Sequence, residues 1–222
     1  MTACHNPACT VQTIEETGSH FLPARETPIV SSNSPSPRSR TRWPGSGADR
    51  RCRRRRQASK ICAALGMRVL GVDPRVTEGP AGMAELATPD RMDERLGEAD
   101  FVILTTPETP DTVGLFNTRL FSRMKHGAYF INIARGRCVV TADLVEALRS
   151  GHLAGAGLDV ADPEPLPPDH PLWSMPNVLI TPHVAIYGTP YREKWEVMLI
   201  ENCRRFAAGQ PLLNLVDKEK WF

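Results

Sequence analysis

The chain has 222 residues, 41% of them hydrophobic, which is enough for a domain-sized core, and a formal net charge of only +2. No run approaches the roughly 18 consecutive apolar residues of a membrane span, and the N-terminus lacks the basic start and apolar stretch of a secretory signal. With six cysteines that form neither a disulfide framework nor paired CxxC ligand sets, the expectation is a cytoplasmic protein with free thiols, no membrane association and no metal.

The charge is unevenly spread. Residues 38–60 carry nine Arg and one Lys against one Asp, whereas residues 61–222 sum to about −5. From residue 1 to 59 no period of 3.6 or 2 is sustained, and the segment is rich in Ser, Pro and Arg, as in SSNSPSPRSR at 31–40. Such a stretch buries too little apolar surface to offset its ordering entropy, so it is expected to be disordered or non-native. Cys4, His5 and Cys9 match no standard zinc spacing.

After Lys60 the texture changes. The run ICAALG at 61–66 reads as the last turns of a helix closed by Gly66, and MRVLGVD at 67–73 as a strand ending in an acid. Further strands are expected at 101–105, 129–133, 155–160 and 178–181. Helices are expected at 89–97, 119–125 and 142–149, the last with Thr141 as N-cap. A final helix should start near Thr189, with Pro190 in its first turn, and stop at Gly209. Trp195, Met198, Leu199 and Phe206 should give it one buried face. This alternation predicts an α/β fold of Rossmann type, a doubly wound parallel sheet incomplete at its N-terminal βα unit. The expected domains are a low-complexity segment at 1–59, a dinucleotide-binding domain at 60–188, and a C-terminal helix and tail at 189–222.

Ligands of such sheets bind beyond the carboxyl ends of the strands, so residues just after each strand are the candidates. Asp73 can accept hydrogen bonds from an adenine ribose and repel a 2′-phosphate, which favours NAD; it can equally be a turn residue before Pro74. Thr105, Thr106 and Pro107, with Asp111 and Thr112, form a polar loop of the kind that lies over a pyrophosphate or nicotinamide. Arg135, directly after an apolar strand, can grip a carboxylate bidentately or serve a surface salt bridge. Asp159 sits at a strand end, Glu164 in a proline-bounded loop, and His183 after the next strand. A carboxylate-paired His can take and return a proton, though a lone one is more often structural. Three suitable residues at one sheet edge change that balance.

The stretch from about Ile61 to Phe222 closely resembles the D-isomer-specific 2-hydroxyacid dehydrogenases. The matching pieces are LGMRVLGVDP, ADFVILTTP, NIARG, LDV followed by EPL, NVLITPH, and EN followed by PLLNLVD. The resemblance implies that Arg135 orients the 2-oxo or 2-hydroxy acid, His183 is the general acid/base and Glu164 its partner. It also implies that Asp159 holds the nicotinamide carboxamide and Asp73 the ribose, with Thr106, Pro107, Thr112, Ile133 and Ala134 on the cofactor side. The reaction implied is reduction of a 2-oxo acid by NADH through hydride transfer, in a homodimer.

The sequence also departs from that family. Counting back from Gly66 puts the glycines of the phosphate-binding GxGxxG loop at Arg50, Cys52 and Arg55. Arginine cannot replace glycine where backbone N–H groups must approach a pyrophosphate. The nearby GSGADR at 45–50 lacks the third glycine and a preceding apolar strand. Loss of the first strand should leave neighbouring sheet edges unpaired, with weak NAD binding and little turnover. A non-catalytic nucleotide-sensing or scaffold role is the first alternative. Nucleic-acid binding through Arg50–Arg56 is the second, and it lacks interleaved aromatics and a supporting fold.

Overall fold

The computed structural model describes residues 11–15, 53–73, 83–185 and 189–215. Its centre is a seven-stranded sheet in the order β3-β2-β1-β4-β5-β6-β7. The strands are β1 (Val11–Glu15), β2 (Arg68–Val72), β3 (Glu85–Ala87), β4 (Phe101–Leu104), β5 (Ala128–Asn132), β6 (Leu153–Leu158) and β7 (Val178–Ile180). Every pairing is parallel except those of β1, which runs antiparallel to both β2 and β4. The helices are α1 (Arg53–Ala64), α2 (Met92–Glu98), α3 (Thr118–Arg123), α4 (Thr141–Arg149) and α5 (Thr189–Ala207).

The alternation expected from residue 60 onward is borne out, and each local signal has a visible cause. Gly66 ends α1 at a positive φ of 82°, with the N–H of Met67 reaching back to the carbonyl of Cys62 at 3.1 Å. Burial alternates along β4 and β5, so Val102, Leu104, Ala128 and Phe130 share one face, which the apolar residues of α2, α3 and α4 cover. Phe116, Phe121 and Phe130 meet there with ring centroids 4.8 to 5.6 Å apart, a cluster worth about 0.5–1.5 kcal/mol per pair beyond its area burial. On the opposite face Phe101 stacks on a half-exposed Tyr129 at 5.3 Å.

The edge strand β3 is tied by charge as well as by its backbone pairing with β2. Arg95 of α2, its side chain only 6% exposed, donates to Glu85 of β3 at 2.6 Å and to Glu98 at 2.8 Å. Arg91 adds a bond to Glu85 at 3.1 Å.

The structure departs from the sequence reading in four places. The low-complexity segment contributes a strand, β1, and the first turns of α1, so the boundary expected at residue 59 falls inside a helix; positions 1–10 and 16–52 lie outside the described residues. The edges of β2 and β4 are not left open, because β1 pairs with both. Thr141 does not cap α4 but lies within it, its hydroxyl donating to the Asp162 carbonyl at 2.8 Å. Finally, α5 does not bury the expected face: Trp195, Leu199 and Phe206 are exposed, and from residue 195 to 207 none of its residues joins the core cluster.

Candidate active site

The carboxyl ends of β2, β4, β5, β6 and β7 line up at one rim of the sheet, because these strands are mutually parallel. Asn132, the last residue of β5 and 1% exposed, folds the next turn around its own amide. Its Oδ1 accepts from the N–H of Ala134 at 2.9 Å and its Nδ2 donates to the Arg135 carbonyl at 3.1 Å. The turn buries Ala134, half-buries Ile133 and leaves Arg135 exposed, with one guanidinium donor on the Ala134 carbonyl at 2.7 Å. Gly136 follows, and a Cβ there would lie 1.8 Å from the carbonyl oxygen of Ala161. Only glycine lets the Arg135 turn and the backbone leading to Glu164 touch this closely.

Asp159, just past β6 and 6% exposed, anchors the segment after β7. Its Oδ1 accepts from the Thr181 hydroxyl at 2.6 Å and the Val184 N–H at 2.8 Å, and its Oδ2 from the Ala185 N–H at 2.9 Å. Burial works to raise the pKa of this carboxyl. The hydrogen bonds from Thr181, Ala185 and Val184, with a smaller contribution from the charge of His183, outweigh it, so the pKa lies below the usual carboxylate value. Held at both ends, the segment presents His183 with a left-handed backbone, φ 54°, a conformation few non-glycine residues adopt. His183 Nδ1 lies 2.8 Å from Glu164 Oε1, and both side chains are substantially exposed.

The loop after β4 is braced from within. Thr112, fully buried, donates its hydroxyl to the Pro107 carbonyl at 2.7 Å and accepts from the Thr109 N–H at 2.7 Å. It therefore sits inside the loop that carries Thr106 and Pro107, not on its surface. Thr106 is buried and Pro107 half-buried. Arg137 bridges this loop to the Arg135 turn through Glu108 at 3.0 Å. Cys138 beneath the turn is fully buried, and burial pushes its thiol up to about 11, so it stays protonated and inert. Asp73 is buried at the end of β2, its N–H on the Ala87 carbonyl at 3.0 Å.

Arg135, Glu164, His183 and Asp159 are thus tied together through the Gly136 contact, the Glu164–His183 pair and the Asp159 clamp. Sequence reasoning missed Asn132, Gly136 and Thr181. Asn three residues before the Arg was an available turn signal, whereas the clamp depends on two strands being adjacent. Cys4, His5 and Cys9 lie outside the described residues.

A family model described as the NAD binding domain of D-isomer specific 2-hydroxyacid dehydrogenases matches residues 55–185. The hydroxypyruvate reductase of Blautia hydrogenotrophica is 38% identical over 159 residues, 72% of this chain and 48% of that protein. The glyoxylate reductase/hydroxypyruvate reductase of Mus musculus is 45% identical over 142 residues, 64% of this chain and 42% of that protein. Among solved structures, a D-isomer specific 2-hydroxyacid dehydrogenase from Xanthobacter autotrophicus in complex with NADPH and MES has a TM-score of 0.68 at 39% identity, covering 74% of this chain and 67% of that one. The NADPH-dependent glyoxylate/hydroxypyruvate reductase of Sinorhizobium meliloti in complex with NADP and sulfate also gives 0.68, at 38% identity, covering 75% and 53%. The chain spans about half the length of the curated relatives it matches.

Proposed function

The chain belongs to the D-isomer specific 2-hydroxyacid dehydrogenases, and from that membership we propose that its rim is the acid/base and carboxylate half of an NAD-dependent oxidoreductase site acting between 2-oxo and 2-hydroxy acids. The observation that carries the reading is the Glu164–His183 pair at 2.8 Å, joined to the Arg135 turn by the close approach of Gly136 to Ala161. In this reading Arg135 spends one donor on Ala134 and leaves the rest of its fork for the substrate carboxylate. Glu164 accepts from Nδ1 of His183, which leaves Nε2 as the atom that exchanges a proton with the substrate oxygen. The carboxylate also stabilises the imidazolium.

On the cofactor side, Asp73 is assigned to the adenosine ribose and favours NAD over NADP, since a buried carboxylate repels a 2′-phosphate. Thr106, Pro107, Ile133 and Ala134 are assigned to the same side, with Thr112 shaping their loop. Asp159 Oδ2 has one accepting site left after Ala185, room for a single carboxamide N–H. A cytoplasmic location and a homodimer belong to the same proposal. Among the described residues Cys62, Cys138 and Cys203 are free thiols, which supports the first, and the exposed apolar residues of α5 support the second. Among the described residues no helix is long and apolar enough to cross a membrane.

The test is substrate binding read on the protein itself. Titrating hydroxypyruvate into isotopically labelled chain should shift the amide signals of Arg135, Gly136 and His183, and Arg135→Met should abolish the response. Identical responses in the two proteins would remove the carboxylate assignment. A non-catalytic binding role is the second reading, favoured by the reversed direction of β1.

A further inference from the structure

The nicotinamide dinucleotide of the family can be matched to this rim half by half. Along β4 to β7 the residues suit it, and Thr105 Oγ1, at the end of β4, is buried without a hydrogen-bond partner among the described residues. Between β2 and β4 they do not. In a dinucleotide-binding unit the strand in that slot runs parallel to its neighbours, and its carboxyl end turns through a glycine loop directly into a helix N-terminus at the rim. Here Val11 is opposite Val72 and Leu104, which adjoin the rim, and Glu15 is opposite Arg68 at the far edge. The strand therefore offers its amino end to the rim. The chain leaves at the far edge, and residues 16–52 intervene before α1 opens with Arg53 to Arg56.

Two requirements that coincide in an ordinary first strand are separated here. Closing the sheet needs only backbone donors and acceptors for the facing edges of β2 and β4, and an antiparallel strand supplies them at least as well as a parallel one. Binding a pyrophosphate needs a particular chain direction and a backbone free of side chains. Residues at positions 12, 13 and 15 are polar, unlike the apolar runs of β2 and β4 on either side. That composition suits a strand recruited for its backbone.

We infer that residues 11–15 thread the first-strand slot in reverse, closing the sheet while removing the pyrophosphate cradle. The chain is then a folded domain that binds a nicotinamide dinucleotide too weakly to saturate at millimolar concentration, whatever the cofactor-side residues along β2 to β6 contribute, and its carboxylate site takes a 2-oxo or 2-hydroxy acid without one. Only this last clause rests on the proposed function.

Direction is tested in the full chain by paired cysteines under mild oxidation, with linkages mapped by peptide mass spectrometry. Glu15→Cys with Arg68→Cys should form a 15–68 disulfide. Val11→Cys with Arg68→Cys, which a parallel strand over the same positions would join, should not. Calorimetric titration of the unsubstituted chain with NADH should show no saturation at millimolar ligand. Any other linkage pattern, including none, overturns the reversed strand, and micromolar saturation overturns the loss of the cradle. Neither result touches hydroxypyruvate binding at Arg135, so the two proposals fail separately.

Discussion

Gly136 shows how a residue without a side chain decides where others go. Because a Cβ would fall 1.8 Å from the Ala161 carbonyl oxygen, Gly136→Ala has to push the Arg135 turn away from the strand end that leads to Glu164. Overpacking of this kind costs about 1–3 kcal/mol. The expected result is a lower denaturation midpoint together with loss of hydroxypyruvate-induced shifts at His183; a variant with wild-type shifts would show that the contact positions nothing. Asp159 makes a separate prediction about pH. Its carboxyl is depressed in the folded chain, so the stability it supplies is fully present above the ordinary value of about 3.9 and is lost as pH falls through the lower folded value. Asp159→Asn removes the charge and one acceptor and should cost about 2 kcal/mol at neutral pH. Urea titrations of the two proteins should converge as the pH drops below 4; a gap that stays constant would mean the charge is not what anchors the His183 segment.

At the scale of elements, what could be read from the sequence divides by whether the signal is local. The strands near 101–104, 128–132 and 178–180 announce themselves as apolar runs followed by polar rim residues, and Gly66 marks a helix end on its own. The short strand β3 could not be read in this way, since three residues carry no periodicity and Glu85 is held by arginines from another element. Nor could β1, whose mixed polar sequence contradicts what a central strand normally needs. The exposed face of α5 was misjudged for the opposite reason: its apolar spacing is real, but apolar spacing does not say what will cover it. The β3 case can be tested. Arg95→Met keeps the packed stem but removes the shorter of the two bridges that Glu85 and Glu98 share, leaving them Arg68 at 3.8 and 3.5 Å. Because those glutamates are about a third exposed and can be rehydrated, the expected loss is about 1–2 kcal/mol, below the 3–5 of a fully buried pair. An unchanged urea midpoint would mean that the Arg95 bridges contribute nothing to holding β3.

For the molecule as a whole, the reversed β1 separates two properties that in a dinucleotide-binding domain normally stand or fall together. The fold should be cooperative, since the core beneath β4 to β6 is closed by α2, α3 and α4 and the β2–β4 gap is bridged. A ligand that binds only the folded state stabilises it by RT ln(1 + [L]/Kd), which is about 2.7 kcal/mol at a concentration of 100 Kd but only about 0.4 at a concentration equal to Kd. For a domain of this size, 1 kcal/mol moves the melting temperature by about 2–4 °C. With the cradle removed, millimolar NADH should therefore raise the midpoint by under about 2 °C while the transition stays sharp. A shift several times larger would mean that the rim still grips the dinucleotide, and a broad, non-cooperative melt would mean that residues 11–15 do not close the sheet. The two outcomes point to different faults, because direction governs the first and backbone pairing the second.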